Sequence, residues 1–190
     1  MRIGVLGGTF DPIHIGHLIA ASEVHTALQL DSVWFMPAGQ PWQKADRTVT
    51  DAKTRYEMTK LATSHDQRFV ASDLEIRRSG PTYSIDTVDE IHSIHPDAQL
   101  FWIVGTDVAA RIPTWHRWED FVSAVTVVVV NRPDASRLDG LPFSYETVEM
   151  PAVRISATRI RERYAKGITC KYLVPEAVDN YVVQHRLYAE

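Results

Sequence analysis

Two histidines near the start of the chain, His14 and His17, stand three residues apart in the stretch GGTFDPIHIGH at positions 7–17. Imidazoles at this spacing on a helix start can both donate N–H bonds to one polyphosphate, provided that Gly16 leaves room for it. No Gly-Lys-Ser/Thr follows the glycines, and the three-glycine spacing of dinucleotide-binding loops is missing. Two other interpretations stay open: a capping loop with incidental histidines, or a two-histidine metal site for which Asp11 is the one nearby carboxylate.

A second group of phosphate-binding side chains stands near the other end of the chain, in ISATRIR at positions 155–161. Ser156 and Thr158 at a helix start, with Arg161 one turn later, can hold phosphate oxygens through hydroxyls, backbone amides and a guanidinium. The alternative is an ordinary helix cap followed by a solvated basic face, which explains most of the arginines that follow.

The elements around both groups follow one plan, because each group lies between an apolar strand and an amphipathic helix. Strands are predicted at 2–6, 32–36, 68–72, 99–104, 125–130 and 147–150. Helices are predicted from 16 onward, from 51 to about 65 with Thr50 as cap, from 84 to about 94, from 156 to 166, and over 176–188. This alternation predicts an α/β fold with a doubly wound, mainly parallel sheet, helices on both faces and a ligand site at the strand carboxyl ends.

Composition limits the classes of function. The chain has 190 residues, a net charge of −4 and one cysteine, Cys170, so no internal disulfide can form. We expect one domain over 1–190, no nonspecific binding to nucleic acid, and a reducing cytoplasm as the setting. The longest apolar tract, 124–130, is too short to cross a membrane.

The stretch at 7–17 resembles the HxGH signature of the nucleotidyltransferase superfamily, in its bacterial nicotinate mononucleotide adenylyltransferase form. ISATRIR resembles the second signature of that superfamily, usually ISSTxxR, and the resemblance covers essentially the whole chain. It implies a Rossmann-like nucleotidyltransferase fold and adenylyl transfer from ATP to nicotinate mononucleotide, with deamido-NAD and pyrophosphate as products. It also implies Mg²⁺ held mainly by the ATP phosphates rather than by a protein metal site, and leaves a homo-oligomer open.

The resemblance assigns roles to individual residues. Catalysis falls to His17, His14, Lys44 and Arg161. ATP binding falls to Gly8, Thr9, Phe10, His14, His17, Gly105, Asp107, Ile155, Ser156, Thr158 and Arg161. The mononucleotide site falls to Thr82, Tyr83, Ser84 and Trp115.

Several of these residues also have a purely structural interpretation. Lys44 can be a solvated lysine, Trp115 a core residue and Asp107 a helix cap, and Arg132 can face either the nucleotide or solvent. Thr82 and Ser84 could serve only as turn and capping residues.

Two rival functions remain at this stage. One is a pantetheine-phosphate adenylyltransferase, which shares both signatures but has less use for the aromatic residues around Trp115. The other is a noncatalytic nucleotide sensor, which the replacement of a usual serine by Ala157 favours. Loss of one hydroxyl costs only about 1 kcal/mol, so the enzyme is the better interpretation.

Overall fold

A computed structural model of the chain describes residues 1–40, 49–131 and 140–189. Its centre is a six-stranded sheet in the order β3-β2-β1-β4-β5-β6, in which every neighbouring pair is parallel. The strands are β1 Arg2–Gly8, β2 Ser32–Pro37, β3 Phe69–Ala71, β4 Gln99–Gly105, β5 Thr126–Asn131 and β6 Tyr145–Glu149.

The two central strands mark the point where the strand order reverses. β1 pairs with β2 on one side and with β4 on the other. Both strands are short apolar runs, and alternate side chains such as Val5 and Leu6 enter different core clusters. The crevice outside the carboxyl ends of such strands is where open α/β sheets bind ligands. Gly8 ends β1 and Gly105 ends β4 at this edge.

Helices cover both faces of the sheet. The described ranges contain α1 Ile15–Leu28, α2 Ala52–Thr63, α3 Leu74–Arg77, α4 Ser84–Ile94, α5 Thr106–Ala109, α6 Trp118–Ala124, α7 Ala157–Ala165 and α8 Glu176–Gln184, with a 3₁₀ turn at Ile112–Thr114. Helices α1, α2, α7 and α8 bury Val24, Met58, Ile160 and Val178 in one core cluster, whereas α4 and α6 bury Val88 and Phe121 in the other. The predicted doubly wound architecture is therefore confirmed.

Four details differ from the sequence-based prediction. The cap of α2 is Asp51 rather than Thr50, because its carboxylate accepts the backbone N–H of Thr54 at 3.0 Å. Helix α8 ends at Gln184, four residues before the expected end. Strand β6 begins at Tyr145, and the four-residue α3 was not expected.

The predicted start and end of α7 are confirmed: Ser156 caps the helix, and Gly167, with φ of 65°, follows its end. Within the described ranges, no helix is both long and apolar enough to cross a membrane.

Candidate active site

The loop between β1 and α1 holds the two histidines in fixed contact. His14 is the extended residue before α1, and its backbone N–H donates to Nδ1 of His17 at 3.1 Å. The backbone N–H of His17 donates back to the carbonyl of His14 at 2.9 Å. The two rings stack at 3.7 Å between centroids, with 16° between their planes. Because Nδ1 of His17 accepts a bond, Nε2 is the nitrogen of that ring that donates.

Gly16 and Phe10 complete the support of these rings. A Cβ atom at Gly16 would lie 3.2 Å from ring atoms of His14, so this glycine makes room for the imidazole itself. Phe10 is buried and meets the ring of His17 edge-on at 5.0 Å. The side chain of Phe10 thus supports His17 from the core, while its assignment to ATP binding stays a prediction.

The second phosphate-binding group meets this loop directly. Nη1 of Arg161 donates to the carbonyl of Asp11 at 2.8 Å, across 150 residues of sequence. Nη2 of Arg161 lies 3.4 Å from the hydroxyl of Thr158. Thr158 and Ser156 are exposed, and Ser156 caps α7 by accepting the backbone N–H of Arg159. The structure therefore brings the two predicted motifs together at one edge of the sheet, with half-buried Ile155 packed on the core beside them.

Asp11 receives a further contact from beyond α8. Its carboxylate is buried, and the hydroxyl of Tyr188 donates to its Oδ1 at 2.8 Å. Its Oδ2 is buried without a hydrogen-bond partner among the described residues. Burial raises the pKa of Tyr188, and the negative charge of Asp11 raises it further. No sequence pattern indicated this contact, which joins residues 177 positions apart.

A buried arginine, Arg55 on α2, donates hydrogen bonds to the backbone of the histidine loop and of its neighbours. Its side chain is 1% exposed and donates to the carbonyls of Thr9 at 2.7 Å, Ala38 at 2.6 Å and Thr50 at 2.8 Å. Burial lowers its pKa, and the nearby charge of Asp11 opposes that change. The one sequence feature that could have indicated the burial of Arg55 is its position one helical turn before Met58, on the inner face of α2.

A cleft of about 210 Å³ opens beside this loop. All four residues assigned to the mononucleotide site line it: Thr82, Tyr83, Ser84 and Trp115. The Trp115 ring is half-buried and lies 5.3 Å from Phe121, so it belongs to the core on one side and to the cleft on the other. Its indole Nε1 is buried without a partner among the described residues.

Two residues belong to both parts of the site. Gly8, the last residue of β1, and Thr9, the first residue of the loop that leads to the histidines, both line the cleft. A ligand in the cleft would therefore lie next to a polyphosphate bound at His17. At the end of β4, the side chain of Asp107 is 84% exposed, and Gly105 allows it to fold back because a Cβ there would lie 3.1 Å from its Oδ1. Of the remaining candidates, Lys44 and Arg132 lie outside the described residues.

Three cleft residues with a charged or titratable side chain were missed by sequence reasoning: Glu75, Arg111 and His116. Glu75 is 4% exposed, and burial raises the pKa of its carboxyl to about 7. Arg111 and His116 are exposed at the cleft, and the ring of His116 lies 4.4 Å from that of Tyr83. Their neighbours are set by tertiary packing, so no local pattern indicated them.

The described residues include no group of three or more His, Cys, Asp or Glu side chains that could hold a metal ion. This part of the chain offers hydrogen-bond donors to phosphate and aromatic surface to a ring, rather than a ligand cage.

The comparisons with known proteins agree with this geometry. Residues 5–163 match the model of the cytidylyltransferase-like family. A probable nicotinate-nucleotide adenylyltransferase of Corynebacterium kroppenstedtii is 47% identical, over 98% of this chain and 90% of that protein. The Streptomyces coelicolor protein of the same description is 48% identical, over 96% of this chain and 98% of its own length.

Solved structures show the same fold at lower identity. Plasmodium falciparum nicotinic acid mononucleotide adenylyltransferase complexed with NaAD superposes with a TM-score of 0.82 and 20% identity, covering 98% of this chain and 97% of that one. The same protein complexed with APC gives a TM-score of 0.79 and 18% identity, over 98% and 96% of the two chains.

Proposed function

Because the chain belongs to the cytidylyltransferase-like family and, within it, to the nicotinate-nucleotide adenylyltransferases, we propose that its cleft and its histidine loop join two nucleotides. The enzyme transfers the adenylyl group of ATP to nicotinate mononucleotide, and the products are deamido-NAD and pyrophosphate. We propose that 1–190 forms one domain that works in the cytoplasm, where ATP is supplied.

The chemistry needs no covalent intermediate. The phosphate of the mononucleotide attacks the α-phosphorus of ATP, the bond to the β-phosphate oxygen breaks, and pyrophosphate leaves with that electron pair. The nucleophile already exists as an oxyanion, so positioning and charge stabilisation supply the catalysis.

The residues divide this work by position. His17 donates from Nε2 to the α-phosphate as charge develops. His14 helps to orient that phosphate, and its ring stacks on the ring of His17. Arg161, with Ser156 and Thr158, holds the outgoing phosphates. Lys44 would join them from the loop after β2, and Gly105 and Asp107 would face the adenosine.

Nicotinate mononucleotide occupies the other half of the site. Its pyridine ring stacks on Trp115, and Thr82, Tyr83 and Ser84 line the same cleft. The observation that carries the proposal is the shared wall: Gly8 and Thr9 line this cleft and lead directly to the histidines. That arrangement supports contact between an acceptor phosphate and the α-phosphate of ATP.

Mg²⁺ would enter with ATP. The described residues suit phosphate oxygens and include no cluster of metal ligands. The ion would be held mainly by water and the ATP phosphates, and it would screen the charge of those phosphates. The protein's own groups then bind, orient and donate hydrogen bonds.

The test is pyrophosphate release from ATP and Mg²⁺ with nicotinate mononucleotide, nicotinamide mononucleotide and phosphopantetheine as acceptors. We expect the highest kcat/KM with nicotinate mononucleotide. A preference for phosphopantetheine would assign the chain to the pantetheine-phosphate type. ATP binding without turnover of any acceptor would favour a nucleotide sensor.

A further inference from the structure

Glu75 is the one acidic residue among the described residues that line the cleft. It lies on the short helix α3, is almost fully buried, and shares the cleft wall with Tyr83 and Trp115. A carboxylate is an unexpected group in a site that binds a nicotinate, because the ring of that substrate carries a carboxylate of its own. The charge of Glu75 therefore bears on which ring the cleft accepts.

Among the described residues, one hydrogen bond holds the Glu75 carboxyl. The hydroxyl of Thr87, fully buried on α4, donates to its Oε1 at 2.8 Å. Nη2 of Arg78 donates to the oxygen of the same hydroxyl at 2.7 Å, while Nη1 of Arg78 pairs with Glu90 at 3.3 Å. The Glu90 carboxylate thus partly neutralises the positive charge of Arg78, which would otherwise favour the ionised form of Glu75.

The other charges near Glu75 do not cancel its burial. Arg55 on α2 and Arg78 after α3 lower its pKa, Glu90 on α4 raises it, and burial is the largest influence. The result is a pKa of about 7. Within the cleft, the charged or titratable groups that share this space are Arg111 and His116, with the phenol of Tyr83. Glu75 therefore exists in both forms near neutral pH.

The two forms suit different rings. A neutral carboxyl can donate a hydrogen bond and does not repel a nicotinate carboxylate, whereas an ionised one repels it in a poorly solvated site. A nicotinamide ring carries a neutral carboxamide whose NH₂ group can donate to an ionised carboxylate.

We propose that Glu75 is a specificity-determining residue, which favours nicotinate mononucleotide when its carboxyl is protonated and loses that preference when it ionises. The proposal rests on the adenylyl transfer proposed above, because it concerns the acceptor half of the same site.

The test is the ratio of kcat/KM for nicotinate mononucleotide to kcat/KM for nicotinamide mononucleotide, measured from pH 6 to about pH 8.5. Titration of ATP, of the shared acceptor phosphate and of the catalytic groups cancels in this ratio. We expect the ratio to fall on the order of tenfold across the range, which is the size of the interaction between two unit charges roughly 10 Å apart at an effective dielectric constant of about 20. If nicotinamide mononucleotide turns over too slowly, its inhibition constant against nicotinate mononucleotide replaces its kcat/KM.

Two variants separate the candidate groups. Glu75→Gln keeps an oxygen that accepts from Thr87 but cannot ionise, so its ratio should stay constant with pH. His116→Gln is the matched control in the same cleft and should retain the fall. Thr87→Val removes a bond that lowers the pKa of Glu75, so the midpoint should move to higher pH. This third variant keeps the test decisive if Glu75→Gln does not fold.

Each contrary outcome is distinct. A wild-type ratio that is constant with pH overturns the inference and leaves adenylyl transfer intact. A fall that persists in Glu75→Gln and disappears in His116→Gln also overturns it, because the histidine then sets the preference. If neither mononucleotide reacts, the proposed function itself fails and the inference fails with it.

Discussion

His17 is held on three sides before any ligand arrives. Its ring stacks on His14, meets the edge of Phe10 and accepts the backbone N–H of His14. A donor fixed in this way needs no reorganisation when charge develops on the α-phosphate, which is the property that makes such donors effective. Its contribution should therefore appear in turnover rather than in stability.

We expect His17→Ala to lower kcat by about 10²–10³, the loss seen when one donor to a developing oxyanion is removed. Steady-state kinetics and a thermal melt measure the two effects separately. His25→Ala, on the same helix but away from the loop, is the control and should keep its turnover. A His17→Ala enzyme within a few-fold of wild-type kcat, with an unchanged melt, would remove His17 from the catalytic role.

Trp115 should act on the acceptor alone. Trp115→Ala is expected to raise KM for nicotinate mononucleotide by at least about fivefold, since stacking contributes about 1 kcal/mol beyond the area it buries. KM for ATP should change little. Trp115→Phe keeps a ring against Phe121 and should recover most of the effect. If both Michaelis constants rise equally while the melting temperature falls, Trp115 is a core residue instead.

At the residue level, the sequence revealed the groups that lie in recognisable motifs. His14, His17 and Arg161 come together as predicted, and Trp115 with Thr82 to Ser84 lines one cleft. Arg55 and Glu75 could not be found in this way, because charged residues are usually exposed and their burial depends on strands and helices distant in sequence.

Helix α2 shows how one element supports the site from outside it. Asp51 caps its first turn, and Arg55, one turn in, donates to carbonyls on both loops that border the cleft. The position of the helix start therefore sets the position of the guanidinium. Weakening the cap should loosen the helix before it affects chemistry.

Asp51→Ala is expected to lower the free energy of unfolding by about 1 kcal/mol at pH 7, the usual loss for an N-cap. The hydrogen bond from Thr54 holds the pKa of Asp51 below its ordinary value. Its contribution is therefore complete above the ordinary carboxyl pKa and is lost as pH falls through the lowered one.

Asp51→Asn is the matched control, because asparagine caps equally well without titrating. Urea unfolding of all three proteins between pH 3 and pH 7 would check both effects. If wild type and Asp51→Asn lose stability in parallel on acidification, with no divergence attributable to this carboxyl, the capping argument is wrong.

At the level of elements, periodicity predicted all six strands and the five longest helices of the described ranges, α1, α2, α4, α7 and α8. It failed for α3, whose four residues are too few to show a helical period. The sequence-based choice of Thr50 as the α2 cap was also wrong. Threonine and aspartate are both good capping residues, so only the side-chain geometry shows that Asp51 is the cap.

For the whole molecule, the loop after β1 is secured by distant parts of the chain. Arg161 donates to the backbone of Asp11, and Tyr188 donates to its buried carboxylate. The sequence predicted that both motifs meet at the strand carboxyl ends, because a doubly wound sheet places them there. It could not predict Tyr188, which follows α8 in a left-handed backbone conformation with φ of 63°.

Tyr188→Phe should destabilise the protein by about 1–3 kcal/mol, because the buried Asp11 carboxylate loses a donor that nothing replaces. Turnover should also fall, since Asp11 carries the carbonyl that Arg161 binds. Chemical denaturation and steady-state kinetics measure the two losses. Tyr181→Phe is the control, because Tyr181 lies in α8 and packs on the ring of His185 just after that helix. Its free energy of unfolding should stay within about 0.5 kcal/mol of the wild-type value. Equal behaviour of the two variants would show that the Tyr188 hydroxyl contributes nothing.

The contacts of Asp11 also set an order of events during translation. Asp11 in the histidine loop is synthesised before the two groups that secure it, which follow 150 and 177 residues later. A nascent chain arrested before Arg161 would contain every residue of the HxGH stretch and still lack both clamps. We therefore expect a nascent chain to bind ATP tightly only after Tyr188 has left the ribosomal exit tunnel and reached Asp11.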